Sequence, residues 1–111
     1  MRNPGSLDKV IDFYYVPDGD DWDIDMEPTL AVEGIWASIK HASARQYWEA
    51  KSAKVEISHT IVIRYREDID DSMVIKYNGR TFKIKYMYDE DEEQKYIVIM
   101  ANEEKKRLKR V

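Results

Sequence analysis

The sequence predicts a mainly β protein, a small antiparallel β-barrel or two-sheet sandwich of about six strands with one short α-helix. Three observations carry this expectation. From Lys54 to Arg66 apolar and polar residues alternate for a dozen positions, which is the period of a half-buried strand. Asn78-Gly79 stands between two further alternating runs and is the strongest hairpin signal in the chain, since both residues tolerate the positive φ of a type I′ turn. Finally, runs rich in β-branched and aromatic residues open and close the chain, at Lys9–Val16 and Lys95–Ala101.

Taken in order, Lys9–Val16 (KVIDFYYV) is the first strand, ended by Pro17 and Gly19. The next dozen residues carry few apolar anchors and read as a long mobile loop from Pro17 to Thr29. Leu30–Ile39 is a second strand, weakened at Gly34. Ser43-Ala44-Arg45-Gln46 has the form of a capping box, so a helix starts there, with Arg45 and Glu49 paired four apart and Trp48 expected as its anchor. In the Lys54–Arg66 strand Val55, Ile57, His59, Ile61, Ile63 and Tyr65 share one face. Met73–Tyr77 and Thr81–Tyr88 flank the hairpin turn, the latter with Phe82, Ile84, Tyr86 and Tyr88 on one face. Trp36 is expected in the same core as Ile61, and most of the aromatic residues with it. A basic tail, residues 103–111, is expected to lie outside the fold.

At 111 residues the chain is one domain on the usual prior, and 36% charged residues with 43% hydrophobic suit a heavily solvated surface. No run is long enough to span a membrane, and MRNPGSLDKV lacks the apolar centre of a signal peptide. Without cysteine there are no disulfides or thiolate metal sites, and assembly inside a cell is the simpler expectation. The net charge of −4 hides segregation. Asp18, Asp20, Asp21, Asp23, Asp25 and Glu27 share the first loop without a base, four acids lie between Glu67 and Asp71, and five form Asp89–Glu93. Lys105, Lys106, Arg107, Lys109 and Arg110 gather at the end. The plain alternative for each run is a solvated loop that keeps strand edges from mispairing.

Catalytic chemistry has no foothold, and no enzyme is expected. The histidines are His41, near the helix start, and His59, on the apolar face of a strand, where a hydrogen-bonded core role outweighs that of a base or ligand. An EF-hand frame from Asp21 places Met26 where glycine is required and Val32 where the closing glutamate belongs. There is no glycine-rich phosphate loop, so no catalytic residue, metal or cofactor is assigned.

Four ordered motifs nevertheless carry a resemblance. Trp36-Ala37, then Ser43 to Ala50 around Arg45, Tyr47 and Trp48, then Ser58 to Tyr65 with His59 and Arg64, then Gly79 to Ile84 with Arg80 and Phe82, are similar to the motifs of head–tail joining (head-closure) proteins of tailed bacteriophages. The match runs from about residue 30 to 101, with Gln46 in place of the usual glutamate and Ser58-His59 in place of Thr-His. The resemblance implies a structural connector found in the virion, and in the host cytoplasm during assembly. It implies a ring of copies, dodecameric in the assembled connector, below the portal–adaptor and above a tail or tail-completion protein. The ring would close a channel holding double-stranded DNA without sequence-specific binding or membrane contact.

The first loop is the candidate for that gate. An acidic lining repels DNA, while Trp22, Ile24 and Met26 supply contacts for a closed plug. The alternative is a small nucleic-acid-binding barrel, in which exposed aromatics would stack on bases.

Overall fold

The computed structural model describes residues 7–16 and 29–104. Six strands, β1 (Lys9–Tyr15), β2 (Thr29–His41), β3 (His59–Arg64), β4 (Val74–Tyr77), β5 (Arg80–Asp89) and β6 (Tyr96–Glu104), close into a barrel in the order β1-β2-β3-β6-β5-β4. Every pairing is antiparallel. The helix α1 (Ala44–Ser52) joins β2 to β3. Closure leaves the barrel rather than the sandwich as the answer to the sequence-level choice, and it removes free sheet edges.

Alternation builds the interior. Phe13, Ile61, Ile63, Ile75, Phe82 and Ile99 are fully buried and meet in one cluster. A second, smaller cluster lies outside the barrel wall, where Ala50 of α1 and Ile57 cover the outward side chains Val62, Val98 and Met100. Leu7, Ala42 and Val55 complete its rim. This cover explains why β6 reads as an unbroken apolar run: residues 97–101 are buried on both faces.

Two glycines mark places where the backbone turns into the left-handed region. Gly79, with φ of +81°, follows Asn78 at +51°, the two positive values a type I′ hairpin needs. Gly34, with φ of +74°, does not break β2 but bends it, and its N–H donates to Asp12 Oδ1 at 2.9 Å, beside register shifts in the β1–β2 pairing.

Several expectations are corrected. Trp36 is not core: Ile35 and Ala37 point inward, so alternation sends Trp36 out, 56% exposed. Trp48 does not anchor α1; it is 63% exposed, and the small Ala50 makes the close contact. The run from Lys54 is not strand until His59, because it first serves as the return from α1, with Lys54 itself at φ of +63°. In β5 a register shift between Ile84 and Tyr86 switches phase, so Met87 packs inward while Tyr86 and Tyr88 face solvent. Glu103 and Glu104 belong to β6, opposite Phe82 and Thr81, rather than to a tail. Residues 105–111 lie outside the described part of the chain.

Candidate functional site

Antiparallel pairing gives the barrel two chemically different ends. One end gathers the close of β3, the start of β4, the β5–β6 connection, and the pair Tyr15–Thr29 between which the first loop hangs. Its connections carry Glu67, Asp68, Asp70 and Asp71 on one side and Asp89–Glu93 on the other. The other end gathers α1, the Asn78-Gly79 turn, Leu7 and the finish of β6.

At the acidic end local bonds hold the loops in shape. Arg66 grips Asp68 through two nitrogens, at 2.8 and 2.7 Å, which holds the Asp68 carboxyl below its ordinary value and raises Arg66. Tyr65 Oη donates to Glu67 at 3.1 Å, and that bond raises the phenol. The Asp89 carboxylate accepts the Gln94 N–H with both oxygens, at 3.0 and 3.1 Å, pinning a turn through Glu90–Glu92 in which Asp91, Glu92 and Gln94 all have positive φ. Asp18, Asp20, Asp21, Trp22, Asp23, Ile24, Asp25, Met26 and Glu27, the expected gating residues, lie outside the described residues.

At the helix end the capping box is complete. Ser43 Oγ accepts the Gln46 N–H at 3.1 Å, and Gln46 Oε1 accepts the Ser43 N–H at 2.9 Å. The same Gln46 oxygen accepts from Thr60 Oγ1 at 3.2 Å, which ties the first turn of α1 to the barrel wall. Arg45 and Glu49 pair at 3.2 Å on the outer face. Between α1 and the barrel lies an open groove of about 480 Å³, bordered by His41, Tyr47, Trp48, Lys51, Val55 and Asn102.

Beside the groove a polar network closes the barrel's interior. His59 is buried, edge-on to Phe82, with the exposed His41 ring 4.6 Å away. Arg80 Nη2 lies 3.3 Å from His59 Nε2. Because a guanidinium only donates, Nε2 accepts, so Nδ1 carries the proton and donates to Ser58 Oγ at 2.7 Å. Ser58 Oγ also accepts the Glu103 N–H at 2.8 Å. Arg80 in turn is held by Glu103, and the pairing raises the guanidinium's pKa.

The residues singled out from sequence therefore do not form one constellation. His59, Arg80 and Phe82 meet; Ser43, Arg45, Tyr47 and Trp48 share α1; Gly79 makes the hairpin turn. Arg64 points outward, 5.9 Å from the Tyr96 ring, and Trp36 stands on the outer wall. Glu103 and Ser58 were missed as members of the network. Glu103 was hidden because its run of charged neighbours resembles a tail, although the alternation of β6 continues through it. Among the described residues no group of three or more potential ligands gathers to hold a metal, and no helix is long and apolar enough to cross a membrane.

No curated protein matches the chain. Among solved structures, the solution structure of protein SF1141 from Shigella flexneri 2a is similar, with 27% identity and a TM-score of 0.60 over 92% of this chain and 96% of that one. The sequence model of a family described as phage head completion protein matches residues 2–105, and with nearly its whole length matched this chain belongs to that family.

Proposed function

We propose that this protein forms a ring beneath the portal–adaptor of a filled phage head, closes the DNA channel and offers the docking surface for a tail. Family membership makes it a structural head completion protein of the virion. The observation that supports the finer reading is the gathering of acidic connections at one end of the barrel, where the first loop also leaves and returns between Tyr15 and Thr29. In a ring of parallel barrels that end presents one acidic face. Phosphates passing it are repelled rather than held, so the channel does not adhere to its cargo. The sequence joining Tyr15 to Thr29 carries six further acids.

The test is to replace residues 17–28 by a short Gly-Ser turn and assemble particles. Rings that form while DNA leaks from filled heads support the loop as the gate. Rings that form and retain DNA remove the loop from that role. Filled heads that keep their DNA and take on tails with the whole protein absent overturn the closure reading itself.

A further inference from the structure

Two exposed aromatic patches stand on opposite sides of the barrel. In the closed order β2 is three neighbours from β5 in either direction, so the two strands face away from each other. On β2, Trp36 is 56% exposed, and Val10, its cross-strand partner on β1, is 46% exposed. The pairing of Ala37 with Ile63 carries Trp36 beside Arg64, which is also exposed. On β5, Tyr86 and Tyr88 are 44% and 48% exposed and lead directly into the acidic run Asp89–Glu93. The core needs neither patch, since the inward places are filled by Ile35, Ala37, Ile84 and Met87. Exposed Trp beside Arg on one patch, and two exposed Tyr on the other, are the residue types enriched in interface hot spots.

The occupant follows from the placement and the charges. In a cyclic assembly each copy meets its neighbours through two different patches, and in a ring of many copies those patches point in nearly opposite directions. The patch beside Arg64 is complementary to the one beside the acidic run. We infer that Trp36 of one copy packs on Tyr86 and Tyr88 of the next, with Arg64 facing that neighbour's Asp89–Glu93 turn. This rests on the ring reading above and names its subunit contact.

The chain has no cysteine, so the introduced thiols are the only ones it carries. Particles carrying the double variant Trp36→Cys/Tyr86→Cys are treated with a short bismaleimide and imaged for the connector ring. A ladder of covalent multimers, absent from either single variant, is expected. Dimers from Trp36→Cys alone mean a two-fold contact and overturn the inference. Visible rings without a ladder overturn the contact and leave the ring standing, whereas particles with bound protein but no ring remove both. As a second measure, Trp36→Asp is expected to melt like the unchanged protein while its incorporation into particles falls about tenfold or more. Normal incorporation of that variant also overturns the contact.

Discussion

Arg80 and Glu103, twenty-three residues apart, meet through two nitrogens and two oxygens: Nε lies 3.1 Å from Oε2 and Nη2 3.1 Å from Oε1. This fork fastens the first residue of β5 to the penultimate residue of β6, and through Nη2 it also fixes the tautomer of His59. Glu103 is the more buried partner, with its side chain 17% exposed against 39% for Arg80.

Glu103→Ala is expected to destabilise the barrel by about 1–2 kcal/mol, the range of charge-assisted bonds reduced for partial exposure. Urea unfolding measures it. Chain termination after Asn102 is expected to cost at least as much, since it also removes the backbone pairing opposite Phe82 and Thr81. Wild-type-like melting of the shortened chain would show that β6 ends earlier.

Ile61→Ala and Trp36→Ala should part company. Ile61 is fully buried, and its truncation is expected to cost about 2–5 kcal/mol. Trp36 faces solvent, and its replacement is expected to shift stability by no more than about 0.5 kcal/mol in the isolated protein. Thermal melting of the two variants side by side reads both values.

Ser43→Ala removes the acceptor for the Gln46 N–H and is expected to cost about 1 kcal/mol. Gln46→Ala should also loosen α1 from Thr60. Faster amide exchange at the first turn of the helix, with β3 unchanged, is the expected pattern.

The Arg66–Asp68 pair gives a pH dependence of known sign. The folded carboxyl is depressed, so its contribution is present above the unfolded value of about 3.9 and fades as pH falls through the folded value. The pair is well exposed, so the contribution stays under about 1 kcal/mol. A carboxyl NMR titration of Asp68 is expected to show a midpoint below that of a free aspartate. An ordinary midpoint would mean that the pair does not persist in solution.

Much of the fold was legible because strand alternation, the Asn78-Gly79 turn and the Ser43 capping box are local signals with local causes. What escaped depends on context that local pattern does not carry. Alternation along β2 gives Trp36 a phase but does not say which phase is inside, and the bulk of tryptophan argued for the wrong one. The bulge after Ile84 reverses the phase of Tyr86 and Tyr88 without a glycine to announce it. The His59 network joins residues from three strands, and only the side-by-side placement of β3, β5 and β6 brings them together. The four motifs that resembled a family divide between scaffold and surface: His59 and Phe82 are buried, Ser43 caps α1 and Gly79 makes the turn, whereas Trp36, Trp48 and Arg64 face outward.

Barrel closure also constrains how this protein can acquire partners. With all six strands hydrogen-bonded on both sides, none has a full unpaired edge to lend to a strand from another chain. Recognition is left to side chains on the wall and to the connections at the two ends. Those positions can change one at a time without disturbing the ladder beneath them, so the same scaffold can follow a changing partner by surface substitution alone.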